Sequence, residues 1–148
     1  MAKVASDLNE NLLDVMGRLY RFLSQEFIGP NSVEALTVGQ LRALRGISRT
    51  ALTMTVVAQL MGVTRATATV MVGKLVERGL AERLQDKTNL RLVLVRATAA
   101  GRRLSQKVHQ RTIRRAERLT RHLASAERAA LDRSLRRLIK ACDAEVKS

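Results

Sequence analysis

Apolar residues near the start of the chain fall at Leu8, Leu12, Val15, Met16, Leu19, Leu23 and Phe27, the three-and-four spacing that puts side chains on one helical face. Asp7 stands before them as an N-cap, so the pattern predicts an amphipathic helix over 7–27. Gly29-Pro30-Asn31-Ser32 then breaks it, because proline restricts its predecessor and has no N–H to donate. Thr37 opens the next helix, with Val38, Leu41, Leu44 and Ile47 as its stripe, and Thr53 or Thr55 opens a shorter one through Val56, Val57, Leu60 and Met61. Gly62 ends that helix, and Thr64 caps another almost at once. Two helices joined across about three residues that include a glycine have the spacing of a helix-turn-helix.

The helix predicted over 64–78 has an inward stripe of Ala68, Met71, Val72 and Leu75. Its other face carries Arg65, Ala66, Thr67, Val70, Gly73 and Lys74. A purely structural surface helix favours Glu, Lys and Gln there. Small residues, threonine methyls and a valine make a low-relief surface able to approach base edges. Gly73 costs roughly 1 kcal/mol against alanine and fits either close approach of a phosphate backbone or a chance surface glycine. Gly79 ends this helix, and the alternating runs Leu80–Gln85 and Arg91–Arg96 flank 86–90 as a two-stranded hairpin. The pattern is therefore a winged helix. Lys87 and Arg91 at the hairpin tip read as groove contacts or as solvated charges.

Beyond the hairpin, Thr98 caps a helix with the stripe Leu104, Val108, Thr112, Ala116, Leu119 and Leu123, and Ser125 caps another with Leu131, Leu135, Leu138, Ile139, Cys142 and Val146. A small winged helix cannot cover these stripes and that of the first helix. The expected fold is mainly α: a winged helix-turn-helix over 37–97, an N-terminal dimerisation helix over 1–36 and C-terminal dimerisation helices over 98–148. Leu12, Leu19, Leu131, Leu135 and Leu138 are the expected dimer contacts.

Charge adds the partner. The 148 residues hold 27 Lys+Arg and 13 Asp+Glu, a formal net charge of +14, which attracts polyanions. The surplus is uneven: residues 1–36 are net acidic, while 37–101 and 102–148 are strongly basic. From 102 to 121, Arg102, Arg103, Lys107, Arg111, Arg114, Arg115, Arg118 and Arg121 face one acid, Glu117. Part of this excess reads equally as a solvated face. The single cysteine, Cys142, allows no intrachain disulfide and no Cys-based zinc site. It reads as a small buried hydrophobe, or as a thiol pairing across a dimer. His109 and His122 are too few for a metal site. No nucleophile–base cluster, carboxylate pair or phosphate loop points to an enzyme, so neither catalysis nor a cofactor is expected. Without an apolar signal core or a run of about 18 apolar residues, the expected location is the cytoplasm, on the nucleoid, with no membrane partner.

Three motifs, in this order and spacing, carry a resemblance over essentially the whole chain: Leu36-Thr37-x-x-Gln40, Val76-Glu77-Arg78-Gly79-Leu80-x-x-Arg83 and Ala97-Thr98-x-x-Gly101. The sequence resembles the MarR family of bacterial transcriptional regulators. The resemblance implies a homodimer that places two recognition helices in successive major grooves of a palindromic operator, roughly 34 to 36 Å apart. Arg65 then reads guanine, Thr67 and Val70 touch thymine methyls beside the capping Thr64, and Lys74, Arg78 and Arg42 meet phosphates. In the family's wing an aspartate braces the arginine that enters the minor groove. The matching residues here are Asn89-Leu90-Arg91, so Arg91 inherits the groove role while Asn89 departs from the pattern.

The resemblance also implies release of DNA by a small, often aromatic or phenolic effector bound between the dimerisation helices and the winged helix. Tyr20, Phe22 and Phe27, the chain's only aromatics, lie on that implied boundary and read either as its pocket or as core packing. The expected function is a sequence-specific double-stranded DNA-binding regulator acting as a repressor. An architectural, nucleoid-type binder with little specificity is the alternative, and a module docking an acidic protein is a third.

Overall fold

The computed structural model describes residues 2–24, 36–86, 89 and 92–145, the first five and last two residues of the first helix by backbone only. The order of elements is α1 (Ala2–Ser24), α2 (Val38–Ile47), β1 (Leu52–Thr53), α3 (Met54–Met61), α4 (Arg65–Glu77), β2 (Ala81–Gln85), β3 (Val93–Ala97), α5 (Ala99–Thr120) and α6 (Ser125–Glu145). They divide into two compact units, Met1–Gln110 and Arg111–Ser148.

Helices α2, α3 and α4 begin and end where local chemistry satisfies their loose backbone groups. At α2 the Thr37 hydroxyl accepts from the Gln40 N–H at 3.2 Å while the Gln40 side chain accepts from the Thr37 N–H at 2.9 Å, a reciprocal capping box. This explains the pairing in Leu36-Thr37-x-x-Gln40, and why Gln40 is buried among hydrophobic residues. Thr53 caps α3 by accepting from Val56 N–H, and Thr64 caps α4 by accepting from Thr67 N–H. At the far end of α3, Gly62 sits at φ 67°, a left-handed conformation that a side chain disfavours. The Val63 N–H bonds back to Ala58 O and the Gly62 N–H to Gln59 O, a Schellman closure. The closure after α4 is the same: Leu80 N–H to Leu75 O and Gly79 N–H to Val76 O, with Gly79 at φ 65°.

The core of this unit is built from Leu36, Ala43, Leu44, Ile47, Val57, Ala58, Met61, Ala68, Val72, Leu75, Leu80, Ala81, Val95 and Ala97. The inward stripe read on the recognition segment is therefore correct, with Met71 half-buried at its margin. The hairpin strands pair antiparallel from Ala81↔Ala97 to Gln85↔Val93. A third strand joins them: β1 pairs with β3 through Leu52↔Val95 and Thr53↔Leu94, giving the order β1-β3-β2. The sequence-based expectation of two strands misses it because two residues show no alternation and Thr53 doubles as a helix cap.

Thr98 ties the hairpin to α5. Its hydroxyl accepts from Gly101 N–H at 3.1 Å and donates to Gly79 O at 2.7 Å, and its own N–H donates to Leu80 O. A Cβ placed on Gly101 would lie 1.9 Å from that same Leu80 oxygen. The Arg78-Gly79-Leu80 and Thr98-x-x-Gly101 motifs are thus two halves of one joint.

Two helix starts differ from expectation. The first helix begins at Ala2, so Asp7 lies within it and caps nothing; the expected extension to Phe27 lies outside the described residues. Ser125 is already the first residue of α6. The Glu127 carboxylate reaches back to accept from Ala124 N–H at 2.6 Å, satisfying the end from the third helical position. Among the described residues no single helix is long and apolar enough to cross a membrane. The bent pair of α3 and α4 reaches that length and composition, but it buries Val57, Met61, Ala68, Val72 and Leu75 in the core.

Candidate nucleic-acid interface

The Gly62 closure turns the chain so that α4 leaves α3 at 98°, within the range of helix-turn-helix pairs. Ala68, Val72 and Leu75 anchor α4 against the core, and that anchoring fixes its opposite face toward solvent. Thr64, Arg65, Ala66, Thr67, Val70 and Lys74 all stand exposed there. Val70 is 63% exposed, unusual for a valine on a helix so well anchored.

The surface is rigid where it begins. The hydroxyls of Thr64 and Thr67 share a hydrogen bond of 2.9 Å, and Thr69 Oγ1 donates to Arg65 O at 2.8 Å. Arg65 and Lys74 have no side-chain hydrogen bond or ion pair among the described residues, and no acid occupies the first turn of α4. The helix start is therefore left with its positive dipole end and a free guanidinium. Gly73 has nothing within 4 Å of a built Cβ, so no packing within the described residues requires glycine there. Thr69, exposed beside Arg65, is missing from the sequence-derived set; its place one residue off the predicted contact positions hid it.

The remaining positions are spread around this helix. Arg78 forms the C-cap of α4 and is exposed, and Arg42 is exposed on α2. Asn89 is exposed at the hairpin tip, where its N–H donates to Asp86 Oδ1 at 2.9 Å and its carbonyl accepts from Leu92 N–H. Asp86 thus holds the Asn89 backbone. Lys87 and Arg91 lie outside the described residues. Across the strands, the Arg96 and Glu82 pair at 2.7 Å is solvent-exposed and adds little stability.

The described side chains of α1 are exposed except for half-buried Phe22. Leu12 and Leu19 stand out at 37% exposure each, and Tyr20 is exposed beside them; Phe27 lies outside the described residues. In the second unit Leu131, Leu135, Leu138 and Ile139 are exposed on α6. Cys142 is exposed on the same helix, against the reading of a buried hydrophobe within one chain. On α6 the hydrogen bond and charge of Asp132 raise the Arg136 guanidinium above its ordinary value.

A helix-turn-helix with an outward second helix and an antiparallel wing defines the winged-helix class of DNA-binding proteins. Residues 35–92 match the MarR family model. Over that segment, and in fold over most of its length, the chain is similar to the MarR family of winged-helix transcriptional regulators. The reduced form of MarR from E. coli is similar at 27% identity, with 88% of this chain and 95% of that one covered and a TM-score of 0.72. A MarR family protein from Bacillus stearothermophilus shares the fold at a TM-score of 0.82 and 20% identity, covering 97% and 98% of the two chains. The PcaV transcriptional regulator from Streptomyces coelicolor, solved with its natural ligand, superposes at a TM-score of 0.64 and 23% identity, covering 88% and 91%. No curated protein sequence matches this one.

Proposed function

We propose that the chain is a sequence-specific repressor that binds a palindromic operator as a homodimer in the cytoplasm, on the nucleoid. The observation that carries this reading is the outward face of α4, where Arg65, Thr67 and Val70 are exposed while Ala68, Val72 and Leu75 are buried. A helix pinned on one side and covered by small and methyl-bearing residues on the other can enter a major groove without steric obstruction. In this reading Arg65 makes a bidentate contact to guanine, Thr67 and Val70 contact thymine methyls, and Thr64, Lys74, Arg78 and Arg42 hold the backbone. The wing, with Lys87, Asn89 and Arg91, tracks the adjacent minor groove. The winged helix spans 37–97.

Residues 1–36 and 98–148 supply the dimerisation helices in the same reading, through Leu12, Leu19, Leu131, Leu135 and Leu138. Isolated in one chain, these leucines expose apolar surface that a partner would cover. Light scattering at micromolar concentration is expected to give twice the chain mass of 16.4 kDa, and Leu135→Asp combined with Leu138→Asp is expected to give monomers that lose at least tenfold in palindrome affinity. A wild-type monomer that still bound a palindrome tightly would overturn the dimer. By analogy with PcaV, which was solved with its natural ligand, a small molecule releases the DNA, and Tyr20, Phe22 and Phe27 belong to its pocket. The architectural alternative draws on the net charge of +14. It differs in one respect: its affinity would follow salt and not sequence.

A further inference from the structure

Helix α5 is one unbroken run from Ala99 to Thr120, and its cations gather on one side of it. With about 3.6 residues per turn, Arg103, Lys107, Arg111, Arg114 and Arg118 fall within an arc of about 80°. All five are exposed. They form a ridge about 22 Å long, from the rise of about 1.5 Å per residue. The apolar stripe of the helix is centred about 120° away, where Val108 is buried and Leu104 packs against the core. Glu117, the one acid in α5, lies outside the arc. Arg102 is also off the ridge, and its Nη1 donates to Ala97 O at 2.8 Å. Arg103, Arg114 and Arg118 have no side-chain partner among the described residues.

Elsewhere the chain handles exposed helical charge differently. Asp14 pairs with Arg18 on α1 at 2.7 Å and Asp132 with Arg136 on α6 at 2.8 Å, each four residues apart, an arrangement that supports a helix. On the α5 ridge the same spacing sets Arg103 against Lys107, Lys107 against Arg111, and Arg114 against Arg118. Like charges so placed destabilise a helix. Solvation alone gives no reason for that cost. Neutralising a polyanion does, because each contact releases condensed counterions.

A duplex fits the ridge best among polyanions. It carries one negative charge per about 1.7 Å of axis, a continuous row against a continuous ridge. No aromatic residue occurs in α5 on which unpaired bases could stack, so nothing there favours a single strand. A membrane surface needs an apolar face free to insert, and Leu104 and Val108 are already packed within the chain.

We propose that the α5 ridge is a second DNA-binding surface, one that grips the phosphate backbone without reading bases. It adds to the contacts of α4 and the wing and supplies affinity for DNA of any sequence. This role rests on the reading of the chain as a DNA-binding protein and is independent of any operator.

Arg103→Gln, Arg114→Gln and Arg118→Gln combined in the full chain test the ridge. The control removes the same charge from exposed positions of α6, through Arg128→Gln, Arg133→Gln and Arg137→Gln. Fluorescence anisotropy on a mixed-sequence duplex is followed across a salt series. The ridge variant is expected to lose about 0.9 from the slope of log K against log salt for each phosphate contact removed, and about tenfold or more in affinity at low salt. The α6 control should move the slope less than about half as far. Preference for the selected palindrome over mixed sequence should stay within about twofold of wild type, since phosphate contacts carry no base information.

An unchanged slope would leave the ridge a solvated face, and equal falls in both variants would reduce it to net charge; either result overturns the surface. The denaturation midpoint of the ridge variant is expected to hold or rise at low salt as like charges are removed. A lowered midpoint would show that these arginines hold the fold, and would overturn it too. If the ridge variant loses binding to phosphatidylserine vesicles while keeping its DNA slope, the face serves a membrane and the duplex assignment is wrong. Should no palindrome be selected at all, the regulator reading fails while the salt series on mixed-sequence DNA still decides the ridge.

Discussion

Replacing Gly101 with alanine is expected to destabilise the chain by about 3 kcal/mol or more, at the upper end of overpacking costs. The added Cβ would meet Leu80 O at 1.9 Å and Leu80 C at 2.9 Å. Neither is the end of a flexible side chain. Relief requires either the first turn of α5 or the Gly79-Leu80 backbone to move. Those movements would break the Thr98 bridge and expose Leu80, which is buried. Gly73→Ala is the contrast. With nothing within 4 Å of its Cβ, it gains up to about 1 kcal/mol of helix propensity. Denaturant titration of both variants checks the pair: midpoints moving in opposite directions support the joint, while a neutral Gly101→Ala would show that α5 does not lock against the end of the recognition helix.

Arg65→Ala is expected to cost about 1 to 3 kcal/mol on the cognate palindrome, the discrimination carried by a good bidentate contact to guanine. The loss should be concentrated at one base pair in each half-site. Binding to mixed-sequence DNA should fall much less, since phosphate contacts dominate there. Stability should barely change, because the Arg65 side chain is exposed and has no partner among the described residues. Fluorescence anisotropy on the cognate duplex, on one altered at that base pair and on a mixed-sequence duplex separates these effects. Equal fractional losses on all three would remove Arg65 from base readout.

Much of this architecture was legible because helix ends are written locally. Thr37, Thr53, Thr64 and Thr98 each cap through their own hydroxyl, and Gly62 and Gly79 each adopt the left-handed turn that follows a helix. Such features depend on one residue and its neighbours within three or four positions. Elsewhere a competing local solution won. Ala2 through Ser6 continue α1 past Asp7, and Glu127 serves the start of α6 from inside the helix, so neither Asp7 nor Ser125 is the cap.

Long-range features left less trace. The pairing of Leu52 with Val95 has no periodic signature, since two residues cannot show alternation. Gly101 was readable as a motif position, but its reason, the close passage of the Leu80 carbonyl, exists only in three dimensions. The outward face of α4 followed from helical period alone. The bond between Arg45 and His109 did not, because the two residues are brought together by packing.

Selection from a pool of random-sequence duplexes at physiological salt tests the central claim, that α4 reads DNA sequence in a symmetric dimer, most directly. The account predicts that repeated rounds enrich an inverted repeat with half-site centres about 10 to 10.5 bp apart, and that Arg65→Ala loses the enrichment at one position in each half. A pool retained by the protein yet unchanged in base composition would contradict it, since binding would then follow the phosphate backbone alone.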